Sequence, residues 1–322
     1  MSSKGSAPSV HQAPYPEVRI RPGSLADKVV LVSGASKGIG RSIALAFAEA
    51  GAAGVALLAR TESALLELER EIQGKWPSVK TCVVTVDVMK DDAVTGAVAR
   101  VVKELGPIDV LINNAAINSL KPFALTGIAE WWNVVEMNLR APIFLLMTVL
   151  EGMRARNSGV VVNMASRAGS VSTPFATAYS ASKAGLIRAA SCIQLELDIE
   201  KKDVQLYSLH PGGVRTDMTL AALDPALDEL LPGTVERITQ FFHEEMNIEP
   251  ELCAATCVFL ASTEKAKALR GCYFDVSHNI QHIVDQADIV KREGMHSLKV
   301  EFLGGLADDG GHSRSASEPA RK

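Results

Sequence analysis

Two residues of this sequence, Tyr179 and Lys183, have the types and the spacing needed for proton transfer. They stand four positions apart in a long Ala-rich stretch that predicts a helix, so their side chains would point the same way. An ammonium group beside a phenol favours the phenolate, which would lower the tyrosine pKa from about 10 toward neutral pH. Such a phenol can exchange a proton with an alcohol oxygen. An ordinary surface pair is the alternative, but only Tyr179 among the four tyrosines has a lysine at this offset.

A glycine-rich turn near the start of the chain predicts a dinucleotide site. The apolar run at 28–33 has the length and composition of a strand covered on both faces, and an amphipathic helix follows the turn. Glycines let the backbone approach a pyrophosphate, and the helix start offers free N–H groups. A tight turn without a ligand is the alternative. The cofactor-binding residues expected here are Gly34, Ser36, Lys37, Gly38, Ile39 and Gly40.

The end of the second predicted strand favours NADP(H) over NAD(H). An NAD-binding protein usually has an acid near this point, but the sequence has Ala59 and Arg60. Lys37 in the glycine turn adds a second cation where a 2′-phosphate would lie. Alternatively, Arg60 stacks over the adenine and Lys37 is solvated.

The alternation of strands and helices predicts an α/β fold with a single Rossmann-type, doubly wound parallel sheet. We expect one catalytic domain over 28–280, with an N-terminal arm at 1–27 and a C-terminal tail at 281–322 whose last part is disordered. Ligands of such folds bind at the carboxyl ends of the strands. Asn113 and Asn114 follow a predicted strand and are therefore expected at the site.

A less regular stretch at about 217–250 is a candidate lid, because it follows the end of a strand and prolines interrupt its helices. Together with residues 117–123 it would form the substrate pocket. Its apolar residues suggest an apolar carbonyl or alcohol substrate, although they could equally be the packing faces of the helices. These residues are Leu220, Leu223, Leu227, Phe241 and Phe242.

Taken in order, the motifs resemble those of the short-chain dehydrogenase/reductases over roughly residues 25–280. The turn from Ser33 to Gly40 is similar to the family's cofactor loop. Asn113 to Ala116 is similar to its Asn-Asn-Ala-Gly motif, although Ala116 replaces the final glycine. The catalytic set that the resemblance implies is Asn138, Ser166, Tyr179 and Lys183. The further cofactor contacts that it implies are Asp87, Val88, Asn114, Tyr179, Lys183, Pro211, Gly212, Val214 and Thr216.

The resemblance also implies roles for the catalytic set. Tyr179 would protonate the carbonyl oxygen, Ser166 would hydrogen-bond to that oxygen, and Lys183 would lower the Tyr179 pKa and bind the nicotinamide ribose. Asn138 would position a water, although an asparagine inside an apolar helix is by itself more often structural. The expected activity is NADP(H)-dependent interconversion of a carbonyl compound and a secondary alcohol. An epimerase or dehydratase of the same fold, or a non-catalytic dinucleotide sensor, is the alternative.

Composition sets further expectations. A formal charge of −4 argues against nucleic-acid partners, and no apolar run has membrane-spanning length. Five scattered cysteines favour a reducing, cytoplasmic compartment. No metal site is expected, since His278 and His282 lack a third ligand at a suitable spacing. The small residues on the Tyr179 helix would allow close approach of another helix, which favours a homodimer or homotetramer.

Overall fold

The computed structural model of the protein describes residues 5–221 and 223–300, without the side chain at position 220. Seven parallel strands form a sheet in the order β3-β2-β1-β4-β5-β6-β7. The strand order reverses between β1 and β4, and ligands of open α/β sheets bind at such a switch point. The strands are β1 (Val29–Ser33), β2 (Gly54–Ala59), β3 (Lys80–Thr85), β4 (Val110–Asn113), β5 (Gly159–Met164), β6 (Val204–His210) and β7 (Tyr273–Asp275).

Helices connect the strands and cover both faces of the sheet. A short π-helical turn, Glu136–Arg140, joins α4 to α5, and 3₁₀ turns occur at Pro16–Val18, Phe123–Leu125, Arg167–Gly169 and Glu264–Leu269. The helices are α1 (Gly38–Glu49), α2 (Glu62–Lys75), α3 (Asp91–Leu105), α4 (Ile128–Val135), α5 (Ala141–Arg156), α6 (Thr177–Ile199), α7 (Asp217–Ala221), α8 (Ala226–Leu230), α9 (Thr234–Glu245), α10 (Pro250–Ser262), α11 (Ile280–Asp285) and α12 (Ala287–Arg292).

The central strands are buried throughout because both faces of the sheet are covered. Every residue of β1, β2, β4 and β5 is buried, so none of these strands alternates between apolar and polar residues. One core layer packs α1 and α10 against the sheet around Phe47 and Phe274. The other packs α3 and α5 around Leu111 and Met153. The predicted Rossmann-type, doubly wound parallel sheet is confirmed.

The two ends of the described chain pack against each other. The buried Tyr15 hydroxyl accepts a hydrogen bond from the backbone N–H of Ile280 at 2.7 Å, and Val10 forms an antiparallel bridge with His278. The predicted boundary at 280 differs from the structure, because α11 and α12 pack into the same core as α10. Their helical spacing of apolar residues explains this packing. Those residues are Ile280, Ile283, Val284, Ala287 and Val290. The segment at 307–322, predicted to be disordered, lies outside the described residues.

The continuous helical segment Ile128–Arg156 is long and apolar enough to cross a membrane by length and composition alone. Half of its most apolar window is buried inside the protein, where α5 packs against the sheet. A core helix of an α/β domain meets the same criteria, so this segment is weak evidence for a membrane span.

Candidate active site

The structure brings Tyr179 and Lys183 together on the first turns of α6. The Lys183 ammonium lies 5.6 Å from the centre of the Tyr179 ring. It donates a hydrogen bond of 2.7 Å to the backbone carbonyl of Met164, the last residue of β5. Lys183 is only 2% exposed, and its remaining donors are available to a ligand at this end of the sheet.

Ser166 follows β5 directly and starts the 3₁₀ turn Arg167–Gly169. Its side chain accepts a hydrogen bond from the Ala168 N–H at 3.2 Å, and it lies near enough to the Tyr179 phenol to favour a lower pKa of that group. This turn packs tightly on α6, because a Cβ at Gly169 would lie 2.8 Å from the backbone nitrogen of Ala184. The end of β5 and the start of α6 thus place a serine hydroxyl beside the phenol.

The ionisation of the pair differs from the prediction that Lys183 lowers the Tyr179 pKa. Burial raises the pKa of Tyr179, and the nearby Ser166 side chain opposes this rise only in part. Burial also lowers the pKa of Lys183 from its ordinary 10.5 to about 8. Both shifts have one cause, because a poorly solvated site disfavours charge on either group. The phenol is therefore protonated at neutral pH, as a proton donor must be.

Asn138 lies in the π-helical turn and is fully buried. Its Oδ1 accepts a hydrogen bond from the Ile117 N–H at 2.9 Å, and its Nδ2 donates to the Ile117 carbonyl at 2.8 Å. A longer contact of 3.4 Å joins Nδ2 to the Ser182 hydroxyl on α6. The amide thus fixes the loop after β4 against two helices. Each polar atom of the Asn138 side chain therefore has a protein partner, and the expected positioning of a water by Asn138 stays a prediction.

The glycine turn after β1 is closed by Asn114. The Asn114 amide donates to the backbone carbonyls of Ser33 at 3.0 Å and Gly34 at 3.2 Å. A Cβ at Gly40 would lie 2.2 Å from the Gly34 carbonyl oxygen and 2.4 Å from the Asn114 amide nitrogen. Glycine at this position is therefore required by the packing of the chain itself. Asn114, expected among the cofactor contacts, also acts as a brace of the turn.

A phosphate-bearing cofactor fits the other side of this turn. Gly38 has a φ of +55°, and a Cβ on it would face the Thr216 methyl at 3.5 Å across the cleft. Lys37 at the N-cap of α1 makes no side-chain capping bond, so the first N–H groups of the helix are available to an anion. Of the remaining predicted turn residues, Ser36 is partly buried and Ile39 packs against the core.

The two cations expected at the 2′-phosphate occupy different environments. Arg60 is exposed directly after β2, and no ion pair to it is found within residues 5–221 and 223–300. Lys37 instead forms a 2.9 Å ion pair with Asp217, the first residue of α7, and both side chains are well exposed. Lys37 thus links the glycine turn to the start of the lid, a contact that its sequence position did not reveal.

The other predicted cofactor contacts lie at the ends of β3 and β6. After β3, the Asp87 carboxylate accepts a hydrogen bond from the Met89 N–H at 3.0 Å, and Val88 is buried. After β6, the chain turns sharply at Gly212, which has a φ of +82°. Three neighbouring residues follow the same turn: Pro211 is partly buried, Val214 is buried, and Thr216 contacts the Thr219 hydroxyl at 3.0 Å.

The candidate lid, α7 to α9, packs beside Tyr179 through α8 and α9. Leu227 and Phe242 are buried against Leu120 and Ala176, and Tyr179 packs on the same cluster. Leu223 is partly buried at its edge, whereas Phe241 is 51% exposed. Leu227 and Phe242 are therefore packing residues of their helices, which was the alternative to a role in binding an apolar substrate.

Sequence reasoning missed Phe175, which precedes α6 and packs on this cluster. The preceding Pro174 could have predicted the turn in which Phe175 lies, because proline favours turns.

A nucleotide cleft at the switch point, with a serine, a tyrosine and a lysine beside it, defines a dinucleotide-dependent enzyme of the Rossmann class. A family model described as short chain dehydrogenase matches residues 28–225, more than half of the chain. The chain belongs to the short-chain dehydrogenase family. This membership supports an oxidoreductase that uses a nicotinamide dinucleotide.

Similar proteins agree with this assignment. A short chain dehydrogenase of Pseudocercospora fijiensis is 33% identical over 270 residues, which cover 83% of this chain and 85% of the relative. A solved variant of actinorhodin polyketide ketoreductase with NADPH aligns with a TM-score of 0.69 at 28% identity, over 78% of this chain and 96% of that one. L-Sorbose reductase from Gluconobacter frateurii, complexed with NADPH and L-sorbose, aligns with a TM-score of 0.68 at 27% identity, over 79% and 97%.

Proposed function

We propose that the protein is an NADP(H)-dependent oxidoreductase that interconverts a carbonyl compound and a secondary alcohol. The observation that carries the proposal is the Tyr179–Lys183 pair beside the end of β5, where the buried ammonium lies 5.6 Å from the centre of the phenol ring and Ser166 begins the next turn. When bound, NADPH would supply the hydride.

The chain's own residues would bind and protonate the carbonyl oxygen. Ser166 and Tyr179 would both donate hydrogen bonds to that oxygen, and Tyr179 would transfer its proton to it. The raised pKa of Tyr179 suits this direction, because the phenol keeps its proton until negative charge develops on the oxygen. Lys183 would stabilise the phenolate that forms and would bind the nicotinamide ribose. Asn138 would act by holding the Ile117 loop in place.

The cofactor would lie along the carboxyl ends of the strands, from β2 to β6. The glycine turn would contact the pyrophosphate, Asp87 and Val88 the adenine, and the segment from Pro211 to Thr216 the nicotinamide. NADP(H) rather than NAD(H) is supported by the exposed Arg60 after β2 and by NADPH in both solved relatives. Arg60 would bind the 2′-phosphate with its planar guanidinium group.

We also propose a homodimer or homotetramer in a reducing, cytoplasmic compartment. Support for assembly comes from exposed apolar side chains on α5 and α6, namely Met147, Leu195 and Ile199 at 66%, 63% and 81% exposure. A contiguous apolar patch formed by such side chains would mark a surface that a partner covers. Light scattering at micromolar concentration tests this proposal, and a monomer would contradict it.

The proposed activity is tested by a screen of uncharged ketones in which oxidation of NADPH is followed, with the Tyr179→Phe variant as blank. Wild type should consume NADPH and form the alcohol in equal amounts. Product formation without net cofactor oxidation would favour an epimerase or a dehydratase. Cofactor binding without turnover of any ketone or secondary alcohol would favour a dinucleotide sensor.

A further inference from the structure

Three segments that are distant in sequence meet beside α6 through backbone hydrogen bonds. The Lys121 N–H donates to the Phe175 carbonyl at 2.9 Å, and the Asp224 N–H donates to the Leu120 carbonyl at 3.1 Å. The segment at 120–121 therefore lies between the lid and the loop that precedes α6. We call these three segments, 120–121, 175–176 and 223–224, the wall.

The wall presents apolar side chains to the catalytic tyrosine. Phe175 and Tyr179 pack against the same buried side chains, which include Leu120, Ala176 and Phe242. Phe175 itself is only partly buried, so part of its ring is available to a further apolar group. A ligand whose carbonyl reaches the Tyr179 hydroxyl would have to place its substituents beside this surface.

The two charged residues of the wall, Lys121 and Asp224, pair with each other. The Lys121 ammonium lies 3.1 Å from a Glu130 oxygen and 3.2 Å from an Asp224 oxygen, and its side chain is only 21% exposed. Two carboxylates around one ammonium leave no positive charge for an acidic substrate. The wall is therefore suited to an uncharged group.

Phe175 adopts a backbone conformation that phenylalanine rarely takes. Its φ is +65°, and it follows Pro174 in a turn. A proline followed by a residue of positive φ is the arrangement of a type II turn, whose second central position normally takes glycine. The hydrogen bond from Lys121 fixes the Phe175 carbonyl in this strained turn. Strain of this kind persists only where the surrounding structure holds it in place, and it clusters at active sites and ligand clamps.

We propose that Phe175 is a specificity-determining residue whose ring forms the apolar wall beside Tyr179 and limits the size of the uncharged substituent on the carbonyl substrate. This inference rests on the proposed function and adds the class of substrate, an uncharged ketone with a hydrocarbon substituent.

The test compares acetophenone with the bulkier 2-acetylnaphthalene. Phe175→Ala should raise the ratio of kcat/KM for the larger ketone over the smaller by about 10-fold, because pocket contacts worth a methylene or more change selectivity by that factor. Leu66→Ala removes an apolar side chain from an exposed position on α2 (42% exposed) and should leave the ratio unchanged. An unchanged ratio in Phe175→Ala, or an equal change in both variants, would overturn the proposal.

Equilibrium binding separates this inference from the proposed function. The alcohol 1-(2-naphthyl)ethanol, titrated by calorimetry into protein saturated with NADPH, with which an alcohol cannot react, should bind Phe175→Ala about 10-fold more tightly than wild type, for the same reason. Tighter binding without turnover of either ketone would support the role of Phe175 in the wall and would show that neither ketone is a substrate of the proposed oxidoreductase. Equal binding by wild type and Phe175→Ala, or binding by neither, would overturn the proposal that Phe175 limits the size of the substituent.

The backbone strain at Phe175 can be measured through the melting temperature of the Phe175→Gly variant. This variant should melt about 2 °C above Phe175→Ala, because both lack the ring and only glycine relieves the positive φ. A Phe175→Gly variant no more stable than Phe175→Ala would overturn the claim that the backbone holds the ring in place under strain.

Discussion

Lys183, at the proposed catalytic end of the cleft, is 2% exposed, whereas Lys37, in the glycine turn, is 70% exposed along its side chain. Lys183 donates to a backbone carbonyl and its pKa falls to about 8, while Lys37 pairs with the carboxylate of Asp217. Burial at one end destabilises the charged form of Lys183 and shifts its pKa, and shifted pKa values suit groups that take part in proton transfer. At the other end, the exposed Lys37 ammonium remains solvated, so it can attract an anionic ligand, but its ion pair adds little to the stability of the fold.

The largest expected effect is at the buried end. Tyr179→Phe should lower turnover by about 10²–10⁴-fold, because it removes the transferable proton, and should leave NADPH affinity nearly unchanged. Steady-state rates and fluorescence titration of NADPH measure the two quantities. Tyr207→Phe, in which another buried hydroxyl is lost, should remain active. A Tyr179→Phe variant with more than about a tenth of the wild-type rate would contradict the assignment of Tyr179 as the acid.

The next effect is at the exposed end. A charge-assisted hydrogen bond contributes about 1.5–3 kcal/mol, so Arg60→Ala should weaken NADPH binding by about 10- to 150-fold and hardly change NADH binding. Ala59→Asp should reverse the preference, because the new carboxylate would repel the 2′-phosphate. Titration of each variant with both cofactors is the measurement, and the exposed Arg70→Ala on α2 is the control. Equal losses for NADH and NADPH would show that Arg60 does not read the phosphate.

A smaller effect concerns the stability cost of burying Lys183. Between its folded pKa of about 8 and its ordinary 10.5, the unfolded chain binds more protons, so this group raises stability as pH increases and costs most below pH 8. Lys183→Met avoids that cost but loses the hydrogen bond to Met164, so the variant should be about 2 kcal/mol more stable at pH 7. The gain should shrink by pH 10.

Denaturant unfolding of the ligand-free proteins at both pH values measures this effect. The same variant should bind NADPH more weakly, because Lys183 is expected to contact the ribose. A Lys183→Met protein less stable than wild type at pH 7 would mean that the hydrogen bond outweighs the burial of the charge. Unchanged NADPH affinity would contradict the proposed contact between Lys183 and the nicotinamide ribose.

The smallest effect is at the ion pair that links the glycine turn to the lid. Exposed pairs contribute about 0.2–1 kcal/mol, so Asp217→Asn, which releases Lys37 for the phosphate, should strengthen NADPH binding by up to about 5-fold. NADH binding should not change, and Glu229→Gln on α8 serves as the control. Weaker NADPH binding in Asp217→Asn would mean that the pair closes the cleft over the cofactor instead of competing with it.

Much of the architecture could be predicted from local sequence because its signals are local. Buried parallel strands are continuous apolar runs, and the turn after β1 needs glycine where a Cβ would strike the chain itself, as at Gly40. The Tyr179–Lys183 pair is likewise one helical turn apart, so its geometry follows from spacing alone. The helices after residue 280 carried the same periodic signal but are short, and they were predicted as tail.

Tertiary structure decided what depends on burial or on residues distant in the chain. The sequence predicts a Tyr179 pKa lowered by its neighbour, but burial determines the direction and raises it. Both polar atoms of Asn138 bind a residue of another loop, and Lys37 pairs with a residue of the lid. The strained Phe175 is fixed by Lys121 from another segment. Spacing sets the direction of a side chain within one helix, whereas solvation and long-range partners exist only once the chain has folded.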